Sequence, residues 1–496
     1  MGDISLAPIV FTAGQDTSSS QLGGAMPVVA NAVHDGAGVM RRRPGIVAWG
    51  AFPAAKASGS PVIGMAAYGD GILYITADRL IHYVTTAGAV TELSDKATYA
   101  WTILDGGSRP VIVSGRQMLV IAGGGKIQKW AGIGLSDRLG YTDLFQQSPE
   151  SSFICGVAQR LVALPVGKSG QIWWSGPLEN YENWDMATGG ASFIQAAAKP
   201  DPLVALLDNT NEVFAFGAET LQVFAPTALA VDSNDTNNLL DFAPSRTMNL
   251  GCVAPYAVAA LDDTFCLIDR QRRIVQTDGR SYNDISRPVF QALKNSKDIS
   301  QVWAFRMRFG RFDCMVWMLP ADGYGLIWNA TDGTWCEWRA WNQGATPVTI
   351  TSAYDWAEQG LFLVGLSDGS IARLDDSTWT DLGTPIKVEL VSGFTNHGSS
   401  VQKACNTLML QFRRTQAAIA APTNGLSPSG HVRVSCRDRE GAWRIVKDVE
   451  LSESFDPCIQ IRSLGVYRTR QWKVEYTGAD ELQLVSAVEE FETLGA

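Results

Sequence analysis

Seven short stretches of this chain have one design: an apolar strand, a tight turn rich in Gly, Asp or Asn, and a second strand. They occupy residues 71–84, 118–130, 160–174, 212–224, 264–276, 314–328 and 361–374. Their first strands begin at 72, 118, 160, 213, 264, 314 and 361, so the spacing stays between 42 and 53 residues. A repeat of roughly 40–50 residues built from short strands is the signature of a β-propeller, with one four-stranded blade per repeat. The hairpins alternate poorly and are apolar on both faces, as strands buried between neighbouring blades must be. The expected fold is therefore all-β: a propeller, counted as seven-bladed, over residues 46–382. The weakest of the seven is 160–174, whose turn is long.

The 496 residues exceed one ordinary core, so more than one domain is expected. After Gly383-Thr384-Pro385 the pattern changes. Segments 386–392, 406–412, 431–437, 472–476 and 482–486 alternate apolar with polar, the period of half-buried antiparallel strands. A C-terminal β-sandwich over 383–496 fits, and 438–443 is its clearest hairpin turn. Residues 1–45 are small and polar and show no period, which reads as an extended N-terminal arm outside the repeat. Two insertions interrupt the propeller region. Residues 226–245 read as a long polar surface loop, and 286–296 as a short helix with Val289, Phe290 and Leu293 on one face.

Charge and cysteine usage narrow the function. Fifty acidic and 40 basic residues give a net charge of −10. That balance argues against tight nonspecific nucleic-acid binding, which needs clustered cations to release counterions. Eight scattered cysteines form no C-x-x-C pair and several lie in apolar strands, so they read as small buried hydrophobes in a soluble protein made in a reducing compartment. Neither a basic-then-apolar leader nor an 18-residue apolar run is visible. The four histidines sit at no metal-ligand spacing, and no cofactor or metal is expected.

The search for catalytic chemistry ends in turns. Gly167-Lys168-Ser169 ends like a phosphate loop, but Val162 stands where the first glycine belongs and a strand follows where a helix N-terminus is needed. Asp-Gly at 278–279, 332–333 and 368–369 is a two-residue hairpin signal before it is an enzyme marker. A glycosidase needs two carboxylates across a cleft; Glu179, Glu182, Asp185 and Glu337 are loop candidates that nothing in the sequence pairs. Catalytic residues are accordingly none. The tight basic clusters are Arg41-Arg42-Arg43 and Arg413-Arg414, with Arg468 and Arg470 near a third. The first stands where the arm meets the first blade, ahead of a Pro-Gly turn, and is the candidate docking point for an acidic partner.

The order of parts resembles the tail hub, or nozzle, proteins of short-tailed (podovirus-type) bacteriophages, also called packaged-DNA stabilisation proteins. The resemblance is carried by Arg42-Arg43-Pro44-Gly45-Ile46, by the Trp/Tyr-rich stretch 172–185, by the strand pair 211–227, and by Gly251-Cys252-Val253-Ala254 followed by 263–268. It runs over most of 40–380. It implies a structural virion component made in the host cytoplasm, with no enzyme activity. It further implies a homo-oligomeric, hexameric ring below the portal and its head-to-tail adaptor, forming the distal tail tube. Tail fibres or tailspikes attach around such a ring, a needle or plug closes it, and double-stranded DNA passes through without sequence-specific binding. A carbohydrate-binding or carbohydrate-hydrolysing β-propeller is the alternative, and an interaction scaffold a third reading.

Overall fold

The computed structural model describes residues 4–11, 13–18, 25–34, 40–50, 59–78, 80–86, 90–92, 109–115, 118–130, 141–143, 147–168, 170–176, 183–187, 190–196, 201–228, 240–309, 312–340, 348–414, 430–439, 441–451, 457–478 and 482–494. Strands dominate them. One α-helix is present among the described residues, Phe290–Lys294, preceded by the 3-10 turn Arg287–Val289, inside the predicted 286–296 segment.

Seven antiparallel four-stranded meanders account for most of the chain. Five are single-chain runs at 62–92, 111–143, 151–195, 203–248 and 258–284; the sixth, 303–339, belongs to a larger sheet. The seventh takes three strands from 350–375 and its fourth, β5 (Gly45–Ala48), from the N-terminal region, paired antiparallel with Ile371–Asp375. The last meander is thus sewn to the start of the chain. First strands of successive meanders lie against one another at six of the seven junctions, including the return of the seventh to the first. All seven sequence hairpins are the second and third strands of a meander. Those strands are covered on both sides: Gly71–Thr76 and Arg160–Pro165 are buried at every position. Phe265 illustrates the packing, with its ring 4.5 Å from that of Phe214 and 5.8 Å from that of Phe216, one meander away. First strands of the first, third, fourth and seventh meanders each carry a register shift near their start, which adds twist where the strands crowd together. Gly251 marks another tight place, since a Cβ there would lie 2.0 Å from the backbone oxygen of Ala218.

Beyond residue 386 two sheets share one core. One sheet runs Val388–Val391, Arg470–Thr477, His431–Asp438, Arg444–Glu450; the other runs Leu482–Thr493, Lys403–Arg414, Cys458–Tyr467. Leu408, Leu410 and Phe412 from one meet Val432, Val434, Trp472 and Val474 from the other, all fully buried. The five alternating segments read from sequence are strands here. Arg444–Glu450 and Cys458–Tyr467 are additional, and the first of these is so exposed that it has no apolar period to read.

The N-terminal region is extended, as expected, but it does not lie outside the fold. β1 (Ile4–Pro8) pairs with Leu482–Thr493. β2 (Val28–Ala30) sits between the outer strand of the sixth meander, Thr334–Arg339, and Val388–Val391. It joins the propeller and the C-terminal unit into one nine-stranded sheet. β3 (Ala32–His34) and β4 (Met40–Arg42) form a hairpin on the other C-terminal sheet, and β5 returns to the seventh meander. A short polar segment thus crosses both units because its backbone supplies missing strands.

The expected 226–245 surface loop is also corrected in part. Strands Leu221–Ala228 and Leu240–Met248 pair to the level of Ala228 and Leu240, so both flanks continue the fourth meander; 229–239 lie outside the described residues. Pro226 and Pro244 disguised the ribbon, and a register shift at Val223/Phe224 absorbs the odd residue.

Candidate functional site

Of the seven basic residues singled out in the sequence, Arg42 and Arg43 lie at the junction of the two units, and four of the seven are buried. Asn31 turns the chain between β2 and β3 with a positive φ of 58°, a conformation that Asn tolerates better than most residues. Its side-chain amide donates to the Lys387 carbonyl at 2.8 Å, and its Oδ1 accepts from Arg43 Nε and from the Arg339 backbone N–H, each at 2.9 Å. Arg43 is fully buried. It grips Asp381 through two nitrogens, at 2.9 and 2.5 Å, donates to the Pro44 carbonyl, and lies 4.3 Å from the centre of the Trp338 ring. One guanidinium therefore ties the sixth meander, the segment after the seventh and the entry to the C-terminal unit. The planar five-donor fork is what such a site requires.

Arg42 points the other way, also buried, donating to the Gly478 carbonyl at 2.7 Å and lying over the Tyr476 ring. Two adjacent arginines are buried because the chain leaves one sheet for another at Pro44. Arg41 alone of the three keeps partial exposure. Arg414 and Arg470 are buried within the C-terminal unit, and Arg470 pairs with Asp438 at 3.0 Å beside Tyr467 and Trp472. Arg413 and Arg468 face outward.

Of the carboxylate candidates, Glu179 and Glu182 lie outside the described residues. Asp185 accepts the Ala187 backbone N–H at 2.9 Å in a turn. Glu337 is buried, pairs with Arg339 and accepts from the Gln15 amide at 2.6 Å. Both described candidates are bound into local structure. The three Asp-Gly sites are turns, with Gly279, Gly333 and Gly369 at φ of 79°, 74° and 85°. Seven of the eight cysteines are buried and Cys458 is exposed. Among the described residues no three His, Cys, Asp or Glu side chains group as a metal site, and no helix is long and apolar enough to cross a membrane.

One feature was invisible in the sequence. Arg109 and Tyr256, from the second and fifth meanders, meet where the first strands begin. The Arg109 backbone N–H donates to Tyr256 Oη at 2.8 Å, and that hydroxyl donates to the Arg109 carbonyl at 3.1 Å. Tyr256 stacks on Phe153 of the third meander at 5.5 Å. The Arg109 guanidinium lies 4.4 Å from the Trp303 ring of the sixth and donates to the Thr351 carbonyl of the seventh. Thr351 Oγ1 then donates to the Val62 carbonyl of the first at 2.7 Å. These contacts link six meanders at the end where their first strands begin.

These features define a β-propeller whose last meander and C-terminal unit are both completed by the N-terminal segment. A family model described as "Bacteriophage P22 Gp10, beta-propeller" matches residues 13–389, most of the chain, and the chain belongs to that family of phage tail nozzle, or DNA-stabilisation, proteins. It is thus a structural phage tail protein and a virion component. The match begins in the segment that supplies β2 to β5 and ends at the entry to the C-terminal unit. Among curated proteins nothing matches. Among solved structures, the computationally designed Ika8 protein aligns with a TM-score of 0.36 and 12% identity, over 64% of this chain and 98% of its own. A likeness that low carries no argument.

Proposed function

We propose that the chain is one subunit of a closed, hexameric ring forming the distal tube of a short phage tail, its seven meanders serving as seven blades. On this reading residues 46–382 are the propeller, 383–496 a β-sandwich, and 1–45 a strap shared by both. The family match over 13–389 carries the proposal. The ring contacts its neighbours heterologously, as closed rings do. It docks on the portal adaptor above, carries fibres or spikes, and is closed by a plug that retains the packaged DNA. DNA passes between subunits, because the Arg109–Tyr256 bridge occupies the propeller axis. A net charge of −10 suits a conduit that must not hold phosphate. No catalysis is assigned to it.

Arg41, the partly exposed member of its cluster, is the residue of the three with surface to offer a neighbour or the adaptor. Reversing Arg42 or Arg43 would break the subunit and say nothing about docking. Arg41→Glu should leave the monomer folded and impair tail assembly; normal assembly would reduce Arg41 to a surface residue. Mass measurement on intact tails tests the ring itself. Six copies are expected, and a single copy per tail would rule it out. A monomer in free solution is compatible with the proposal, since such rings can form on the ring that precedes them.

A further inference from the structure

Between the sixth and seventh meanders lies a cavity of about 420 Å³ that reaches Arg109. Its walls are mainly apolar, with Trp303, Met318, Trp338, Val348, Ile350 and Leu366 lining it and threonines between them. It holds two charged groups. Asp381, toward the C-terminal unit, is already gripped by Arg43. Arg109, at the axis, is different. Its guanidinium donates to the Thr351 carbonyl and faces Trp303, and among the described residues no carboxylate pairs with it. Burial lowers its pKa to about 10, a direction that an acidic neighbour would have opposed. A guanidinium offers five N–H donors, and burying one without its counter-charge is costly. The cavity beside it lies within the size range of ordinary ligand pockets.

We infer that this cavity receives a carboxylate carried on an apolar body, an acidic peptide segment of a partner protein, with the carboxylate on Arg109 and the apolar part against Trp303 and Trp338. A nucleic-acid backbone is the wrong occupant. A stiff duplex does not fit such a volume, and its polar sugar-phosphate chain gains nothing from tryptophan and leucine walls. The inference stands on the chemistry of the cavity and does not depend on the ring.

The test uses the full-length protein and three probes: N-acetylphenylalanine, its amide, and inorganic phosphate. Binding is read from tryptophan fluorescence and from the melting temperature. The acid should bind saturably and at least about tenfold more tightly than the amide, the scale of a hydrogen-bonded charge pair. In Arg109→Gln that preference should fall to within about twofold. Val348→Trp adds bulk at an exposed residue of the cavity wall and should abolish binding of both. It also keeps the test decisive if Arg109→Gln fails to fold. Equal binding of acid and amide by the wild type would overturn the inference. So would binding that Val348→Trp leaves intact, or no saturable binding up to roughly 10 mM, the affinity floor of a small fragment. Phosphate binding as tightly as the acid would replace the peptide with a polyanion.

Discussion

The propeller and the C-terminal unit bury different things. Second strands of the meanders are mostly apolar, as in Val213–Gly217, where every residue is buried, with isolated charges such as Arg160 among them. The C-terminal unit buries charge: Lys403, Arg414, Arg470 and Glu489 are all 3% exposed or less. Glu489 accepts from Trp472 Nε1 at 3.1 Å and meets His397 Nε2 at 3.3 Å, and that imidazole stacks on Phe491. Burial alone would raise its pKa, but the neighbouring His397, with Tyr467 and Cys405 beside it, holds it below the ordinary glutamate value. One unit gains stability mainly from non-directional area, and the other adds a buried polar network to it. The first should tolerate volume-conserving change better than the second, and the two should respond to pH with opposite signs.

The largest expected effect falls on the residue that joins the two. Arg43→Ala leaves Asp381 without its donor and Asn31 with the Arg339 N–H alone, and should cost about 3 kcal/mol, the low end for a broken buried pair because Asp381 keeps some contact with water. Denaturant unfolding measures the loss. Hydrogen exchange should accelerate on both sides of the junction, in β5 and in Val388–Val391 together. Arg43→Lys should recover less than half, since a point charge cannot grip both carboxylate oxygens. Acceleration confined to one unit would break the idea of a shared bolt.

Gly251→Ala probes close packing inside the propeller. The new methyl would meet the Ala218 carbonyl, and a cost of about 1–3 kcal/mol in equilibrium unfolding is expected, typical of overpacking. The same change at the exposed Gly59 meets nothing within 4 Å and involves no positive φ, so it serves as the control for the contact at Gly251.

Two smaller effects have opposite pH signs. Glu489 has a lowered folded pKa, so its contribution is present above the ordinary glutamate value of about 4.3 and is lost as pH falls through the lower folded value. Glu489→Gln should flatten that acid limb, read by hydrogen exchange in Lys403–Arg414 and Leu482–Thr493. In the propeller, burial raises Asp208 to about 6. Its native carboxyl holds a proton that the unfolded chain releases, so stability falls as pH rises from about 4 to about 6. Asp208→Asn should remove this slope and raise the melting temperature slightly at pH 7. If both variants shift stability in the same pH direction, the contrast between the units is wrong.

The middle strands of the meanders were legible because burial on both faces writes continuous apolar runs. Their first and fourth strands were not, because they line the axis or the rim and carry mixed residues such as Tyr282–Asp284, exposed throughout. The N-terminal strands escaped for another reason. β2 to β5 are held by backbone pairing with distant partners, as between Ala30 and Glu337, so three- and four-residue pieces need no periodicity of their own. Arginine clusters suggested surface because adjacent charges usually are solvated. Here Tyr476, Trp338, Asn31 and Asp381 come from four separate places in the chain to bury Arg42 and Arg43. Arg109 carried no local signal at all, since its partners are Tyr256, Trp303 and Thr351.

Imaging of DNA-filled particles by electron microscopy tests the central claim most directly. The account predicts a closed sixfold ring of this chain at the distal end of the tail, with DNA or plug density in the lumen between subunits and none along any propeller axis. A single copy at the tail, or DNA threading the axis that Arg109 and Tyr256 bridge, would contradict it.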